Sequence, residues 1–525
     1  MLLSRFNLKM PAYYVASIIV SIGGLLFGLD TGTIGPVTSM STFIHSFGFL
    51  SPTKHGAVVS AILIPAATSS LFAGNIADSY GRSTTIIIGS AVFFLGATLE
   101  CAAPKLAVFI LGRVIKGLGE GLFLATVTTY ICEISPARRR GPLASLAQFT
   151  VTVGVAMGYF ISYGTSRLGS TSLSWRLPCA WQALVAFCMA VACLKVPPSP
   201  RWLISKGRHA EAQETLTKLG IASSEVEEVI PQSTTEEAII PPGGFVANAK
   251  RQFSGFAAIF SKDTRKQTAL SIFMMIMMQF CGIDGVLYYA PTLFQKAGLA
   301  SEQASFLASG VSALAMFGIT IPASIFCDHW GRRVSAVTGG ILLSSCMLLI
   351  GSLYAANAVQ AHSGAARWVV IVTIYVFAIS FCMTWAIGFR IYTNEIQPTA
   401  TRASAANLAN SFNWLANFII AFTTPILLSK SNSAVYFFFG CCSLLCLAVC
   451  LVAMPETKGR SLETIEQSFK QHSSGWSLSR LRRRRFAQAV GVRAEPGQLV
   501  ATGSEDVELE CTSSSSVRPM VLQTG

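Results

Sequence analysis

Four charged side chains, Asp30, Arg113, Asp284 and Arg390, fall inside long apolar runs. A charge at the centre of a membrane-crossing helix costs ~2.5–3.5 kcal/mol on insertion scales, so its default reading is functional. Burial favours a neutral carboxyl and a nearby guanidinium favours an ionised one, so a changing Asp30 to Arg113 separation would take up and release a proton. The pair is read as a proton-coupling device, with a static buried salt bridge as the plainer alternative. Lys116 and Glu120, four apart on one helix, can pair with each other as structure. Asp284 and Arg390 either neutralise each other across a cavity or leave Arg390 to meet an anionic group on a solute.

Around these charges stand groups suited to hydroxyl-rich solutes. An amide offers donors and an acceptor to adjacent hydroxyls, and Gln148, Gln279, Asn413 and Asn417 are the candidates. Tyr288, Tyr289, Trp385 and Trp414 add faces on which a ring can stack. A lone intramembrane amide is more often helix glue, so the set carries more than any member. No catalytic residue is assigned, because no nucleophile has a base beside it and the six histidines fall in expected loops or helix ends. The 14 cysteines lie mostly in apolar segments without metal-ligand spacing and are read as reduced core residues, so no metal is expected. A phosphate-binding loop of the Gly-rich Lys-Ser/Thr type is missing from the sequence, which disfavours an ATP-driven pump.

A second kind of site lies at the ends of the apolar runs, and it repeats. Asp78-Ser79-Tyr80-Gly81-Arg82 returns 250 positions on as Asp328-His329-Trp330-Gly331-Arg332. Glu133-Ile134-Ser135-Pro136 with Arg140 returns at an offset of 262 as Glu395-Ile396-Gln397-Pro398 with Arg402. Pro197-Pro198-Ser199-Pro200-Arg201 returns more loosely at an offset of 258 from Pro455. Glu133 is expected to pair with Arg140 and Glu395 with Arg402, and ion pairs there, with Asp78 and Asp328 beside the Gly-Arg steps at Arg82 and Arg332 and with Glu463, would latch two bundles on the cytoplasmic side. Their bland reading is helix caps and topology charges.

The elements that must position these groups are apolar runs long enough to cross a hydrocarbon core of about 30 Å. Six lie near 13–35, 56–77, 84–103, 106–131, 143–164 and 174–196, and six more near 268–292, 303–327, 335–355, 367–392, 403–428 and 433–454. With 52% hydrophobic and only 12% charged residues in 525, the chain reads as an all-α membrane protein of twelve transmembrane helices in two pseudo-symmetric six-helix bundles. The expected domains are 1–196 and 267–454 for the bundles, a central loop with short helices at 197–266, and a largely disordered tail at 455–525. The first apolar run continues into further spans and reads as a signal anchor rather than a cleaved leader. The net charge of +14 gathers in alternate loops, which places both termini in the cytoplasm and makes nucleic acid a poor partner. Gly24, Gly28 and Gly32, with Gly117 and Gly121 and with Gly154 and Gly158, read as stripes that permit close helix approach.

Taken as a set, these residues resemble the sugar porter family of the major facilitator superfamily over roughly Gly23 to Glu463. The carriers are Gly-Gly-x-x-Phe-Gly-x-Asp at 23–30, Gly112-Arg113, Gln148, Pro-x-Ser-Pro-Arg-Trp-Leu at 197–203, Tyr288-Tyr289, and Pro-Glu-Thr-Lys-Gly from Pro455 with Leu462-Glu463. The resemblance implies alternating access, a sugar or polyol substrate, and a proton-coupling role for Asp30 with Arg113. It departs at Met278-Gln279, where relatives carry paired glutamines, and at Asp284, which replaces a motif asparagine. It departs again at Arg390, in place of a sugar-contacting tryptophan, at Ala386-Ile387 for Gly-Pro, at Ser83 for a second arginine, and at Pro198 for a glutamate. Because these changes add one acid and one base to the cavity, the expected substrates extend to modified polyols, sugar acids and other carboxylated rings.

The leading expectation is a secondary transporter of a hydroxylated solute, coupled to protons as symporter, with the proton as coupling ion and no cofactor. A facilitative uniporter of the same fold and a non-transporting nutrient receptor are the alternatives. The partners expected are the small-molecule substrate and the lipid bilayer, with the chain working as a monomer in the plasma membrane.

Overall fold

The computed structural model describes residues 11–169, 171–221, 259–261, 264–299, 301–360, 364–398 and 401–458. Every regular element among them is a helix. In lipid a backbone N–H or C=O has no water to meet, so long apolar runs close their hydrogen bonds within themselves. The first half contains α1 (Ala12–Ser39), α2 (Ser41–Phe47), α3 (Pro52–Ser60), α4 (Leu63–Tyr80), α5 (Arg82–Ala102), α6 (Leu106–Ile134), α7 (Ala137–Thr165) and α8 (Leu173–Cys193). Two short helices follow, α9 (Pro200–Ser205) and α10 (His209–Leu219). The second half contains α11 (Arg265–Phe280), α12 (Ile283–Lys296), α13 (Glu302–Trp330), α14 (Arg332–Ala355), α15 (Ala366–Met383), α16 (Trp385–Glu395), α17 (Arg402–Lys430) and α18 (Asn432–Ala453).

Eleven of the twelve expected spans are long and apolar enough to cross a membrane, and the fold is the two-bundle all-α architecture. The expected fourth span, α6, has 29 residues but carries Arg113, Lys116, Glu120 and Glu133, so composition rather than length sets it apart. Three spans are broken where a continuous run was expected. The second is interrupted between α3 and α4, the seventh between α11 and α12, and the tenth between α15 and α16. At the seventh, Gly282 has φ +93°, and a Cβ there would come within 2.3 Å of the Phe439 ring. At the tenth, Thr384 leaves helical geometry with φ −121° and ψ −74°. Broken backbone at membrane depth is tolerated where protein or a cavity surrounds it, which is also where transporters bind solute. The expected tail beyond 458 and the loop at 222–258 lie outside the described residues.

The glycine stripes set the helix spacing of the first half. A Cβ on Gly24, Gly28 or Gly32 of α1 would stand 2.0 to 2.4 Å from carbonyl oxygens of α7, and one on Gly154 would meet Leu25 O at 2.3 Å. On α6, a Cβ on Gly117 would stand 2.2 Å from Ile62 O and one on Gly121 2.2 Å from Ala66 O. This close packing draws α1 against α7 and α6 against α4.

The ends bearing the Gly81-Arg82 and Gly331-Arg332 loops form one side of the molecule, here termed the motif side, and the opposite ends form the far side. One apolar core includes Ile34, Val37, Val58, Val59 and Tyr159 of the first half with Tyr288, Tyr289, Leu293 and Phe294 of the second. A second core, with Tyr13, Phe123, Tyr130 and Ile134, is confined to the motif-side part of the first half and its central loop. The two halves are therefore joined by a shared core at their far-side ends.

Candidate functional site

The first half gathers five ionisable groups in its interior. Arg113 of α6 reaches Asp30 of α1 with both terminal nitrogens, NH1 to Oδ1 and NH2 to Oδ2, each at 3.3 Å. NH2 also donates to the carbonyl of Val59 at 2.9 Å, tying the pair to α3. Lys116, one turn on, puts Nζ 2.6 Å from Asp30 Oδ1 and 2.6 Å from Glu100 Oε2 on α5. Lys116 donates in addition to Gln182 Oε1 on α8 at 3.0 Å, and the Gln182 amide donates to the Thr33 hydroxyl. Glu100 Oε1 stands 3.8 Å from Arg113 NH1. Asp30 is 4% exposed, and Arg113, Lys116, Glu100 and Glu120 are 1% or less.

Sequence reasoning placed Asp30 beside Arg113, and they meet. Lys116, which could have paired with Glu120 one turn on, turns instead to the carboxylates of α1 and α5, which neighbouring helices bring closer. Glu100 and Gln182 were missed. Glu100 sits at the end of the third apolar run, where the rule that flagged Asp30 applies equally; Gln182 gives no comparable signal.

The second half offers a polar set built on the seventh-span break. Asp284 stands in the first turn of α12, two residues after Gly282, where a helix N-terminus favours a carboxylate. Asn417 of α17 donates to Asp284 Oδ2 at 2.6 Å and lies 3.5 Å from the Tyr288 hydroxyl. Gln279 donates to Asn413 Oδ1 at 3.2 Å, and Asn413 donates to the Met275 carbonyl at 2.8 Å. Trp414 meets Phe27 of the first half edge-on, with centroids 5.6 Å apart. Gln148 of α7 is half-buried and makes no hydrogen bond among the described residues. Trp385 does not face this set; it is fully buried and donates Nε1 to the Ala336 carbonyl at 3.0 Å, as packing.

Arg390 is exposed on α16, while Trp385, Phe389 and Tyr392 on the same helix are buried. Its charge acts on Asp284, but the two make no ion pair within 4 Å. Asp284 takes its hydrogen bond from Asn417 instead. Of the two alternatives open in the sequence, direct neutralisation is not the one formed here.

The far side is closed by contacts between the halves. The Tyr159 hydroxyl of α7 donates to the Leu287 carbonyl of α12, and the backbone N–H of Ser41 donates to Glu302 at 3.1 Å. A Cβ on Gly35 would stand 2.1 Å from Tyr288 O, and one on Gly56 2.4 Å from Phe422 O. His55, expected in a loop or at a helix end, lies in the first turn of α3, with Nε2 3.0 Å from the Thr38 hydroxyl and its ring edge-on to Tyr289. The Tyr289 hydroxyl donates to the Ala421 carbonyl at 2.6 Å.

On the motif side each half carries its own ion cluster, and among the described residues no ion pair crosses between halves there. Arg82 NH2 is 2.9 Å from Asp78, and its Nε is 3.0 Å from Glu133. Arg332 NH2 is 2.9 Å from Glu395, which also accepts from the Thr457 hydroxyl at 2.6 Å. The expected partners of the two glutamates, Arg140 and Arg402, are not theirs. Arg82 and Arg332 open α5 and α14 right after glycines at φ +97° and +80°, and that turn aims each guanidinium at the glutamate. Arg402 donates to the Gln397 carbonyl at 3.2 Å. Arg140 Nε and Nη2 are buried and, among the described residues, without a hydrogen-bond partner. Asp328 falls within α13 with its side chain outside the described residues, as is all of Glu463.

The repeated proline segments lie under these loops, with different chemistry in each half. Trp202 packs against Gly81 and donates Nε1 to the Asp78 carbonyl at 3.0 Å. Glu456 instead accepts the backbone N–H groups of Arg332 at 2.9 Å and Arg333 at 3.1 Å, capping α14 from a distance.

Two pseudo-symmetric six-span halves, broken helices at mid-membrane and a polar set built on the broken seventh span define a transporter of the major facilitator fold. A family profile described as sugar (and other) transporter matches residues 16–469, and the chain belongs to that family. It is 28% identical over 479 residues to a high-affinity glucose transporter of Kluyveromyces lactis, covering 88% of this chain and 86% of the relative. It is 29% identical over 498 residues to sugar transport protein MST7 of Oryza sativa subsp. japonica, covering 90% and 94%. In fold it is similar to the inward-open xylose transporter XylE of E. coli, at 23% identity and a TM-score of 0.70 over 87% of this chain and 99% of that one. The protein is thus a multi-pass membrane sugar transporter, and its relatives are transporters rather than enzymes.

Proposed function

We propose that this sugar transporter is a proton symporter of sugars, polyols or sugar acids, working as a monomer in the plasma membrane with both termini cytoplasmic. The observation that carries the coupling is the interior ion network around Asp30 and Arg113. A static brace between α1 and α6 needs one acid and one base, whereas five ionisable groups are buried here. Buried ionisable groups on this scale are costly in lipid and mark proton and ion pathways. XylE, which shares the fold, is a proton:xylose symporter.

On this reading the far side is extracellular and closed, and the motif side faces the cytoplasm. Solute binds between the halves against Gln148, Gln279, Asp284, Tyr288, Tyr289, Asn413, Trp414 and Asn417. Arg390, exposed and without an acidic partner among the described residues, takes an anionic group where the solute has one. The clusters of Asp78, Arg82, Glu133 and Arg140, and of Asp328, Arg332, Glu395, Arg402 and Glu463, re-form across the halves when the cytoplasmic side closes. A proton entering down an interior-negative potential supplies about 2.3 kcal/mol per 100 mV, enough to concentrate the solute.

The test is uptake into proteoliposomes of labelled sugars, polyols and sugar acids with and without an inward proton gradient. Accumulation above equilibrium that collapses with a protonophore is expected. Flux that only equilibrates, whatever the gradient, would make the protein a uniporter, and solute binding without flux would make it a receptor.

A further inference from the structure

The interior network has a charge surplus that the Asp30 and Arg113 pair does not absorb. Two cations, Arg113 and Lys116, face three carboxylates, Asp30, Glu100 and Glu120. Asp30 is held by both cations, and Glu100 by Lys116 with Arg113 at longer range. Charge balance is reached there. Glu120 is 1% exposed, and among the described residues it forms no ion pair and its Oε2 is buried with no hydrogen-bond partner.

An ionised carboxylate without a partner is strongly disfavoured in such a place, and a protonated one is not. Protonating Asp30 would strip a partner from Arg113 and Lys116 at once, whereas protonating Glu120 breaks no ion pair. We propose that the coupling proton rides on Glu120, with Asp30 serving as a fixed counter-ion for Arg113 and Lys116. This rests on the symport reading above. The step is a simple protonation: an O–H bond forms at the Glu120 carboxylate as a proton arrives from the far side, and breaks as the proton leaves to the motif side.

Position supports this assignment. The helix α6 runs from the far side to the motif side, and Glu120 follows Arg113 by seven residues, on the same face and about 10 Å nearer the motif side. With the far side closed, Glu120 is the network carboxyl on the exit side. The groups around it are Asp30 on α1, Glu100 on α5, Arg113 and Lys116 on its own helix, and Tyr288 on α12 of the other half. The α4 residues against α6, Ala66 and Ser69, bring no charge. Tyr288 acts on Glu120 and on Asp284 alike, so it joins the proton site to the polar set where solute is held.

The experiment compares wild type, E120Q and D30N in proteoliposomes. An inward gradient of one pH unit should drive about ten-fold accumulation in wild type. E120Q should only equilibrate solute while still exchanging it across the membrane, which shows that it is folded. Infrared spectra of the purified proteins give an independent reading: a protonated-carboxyl C=O band should be present in wild type and D30N and absent in E120Q. Wild-type accumulation by E120Q, or a band lost in D30N and kept in E120Q, would overturn the proposal. Absence of accumulation in the wild type itself would instead defeat the symport reading, and the coupling role with it.

Discussion

Asn417 donates to the carboxylate of Asp284 at 2.6 Å, although 133 residues separate them and they stand on α17 and α12. The bond replaces the Arg390 contact that the two charges alone would suggest, and it fixes the geometry of the broken seventh span. Removing the donor leaves a buried charge under-solvated, at a cost of ~1–3 kcal/mol. Asn417→Ala should therefore lower the melting temperature of the purified protein. In an Asp284→Asn background the same change should cost less, because no charge is left to satisfy, and a double-mutant cycle reads the difference. Equal losses in both backgrounds would show that Asn417 does not serve Asp284.

Glu456 gives a pH dependence with a definite sign. Burial alone would raise its carboxyl, but the backbone N–H groups of Lys458, Arg332, Arg333 and Thr457 outweigh it and hold the group below its ordinary value of 4.5. A carboxyl lowered on folding contributes stability that is complete above the unfolded value and is lost as pH falls through the folded one. Glu456→Gln should destabilise the protein at neutral pH by ~0.5–2 kcal/mol, the range of a helix cap. Melting curves from pH 7 downward should show the gap between wild type and variant closing below about 4.5. A gap that stays constant would remove the cap as its cause.

The glycine stripe predicts a sharp contrast between neighbours in composition. Gly28→Ala puts a Cβ 2.0 Å from Val151 O, and both partners are backbone, so α1 and α7 must part. At Gly164 a Cβ meets nothing within 4 Å. Gly28→Ala should give little folded protein in size-exclusion profiles, and Gly164→Ala should match wild type. Similar yields for the two would contradict the close approach of α1 and α7.

What could be read from the chain beforehand follows from what lipid penalises. Charges in apolar runs stand out because they are costly, so Asp30, Arg113, Asp284 and Arg390 were visible, and the two halves were visible because their loops repeat. Glu100 obeys the same rule, yet at a run's edge it resembles a helix end. The breaks at Gly282 and Thr384 have no hydropathy signature, since the residues on both sides are apolar. Partner choice was the least legible part. Glu133 has Arg140 seven residues away in sequence, but the turn at Gly81 delivers Arg82 to it from another helix, and only packing decides between them. In the same way Lys116 looks paired with Glu120 on a helical wheel, until α1 and α5 place two carboxylates nearer.

Arg390 decides what the cavity prefers. It is exposed on the short helix after the tenth-span break, and its neighbour Asp284 is already satisfied by Asn417. A guanidinium in that position is free to take a carboxylate of the solute in a charge-assisted pair, worth ~1.5–3 kcal/mol. Arg390→Gln should then lower uptake of sugar acids by about 10- to 100-fold relative to neutral hexoses. Arg390→Trp should shift the preference further toward neutral rings by adding a stacking face. Competition assays with paired acid and neutral sugars measure the ratio directly. If that ratio is unchanged in both variants, the guanidinium does not touch solute, and charge selection must lie elsewhere between the halves.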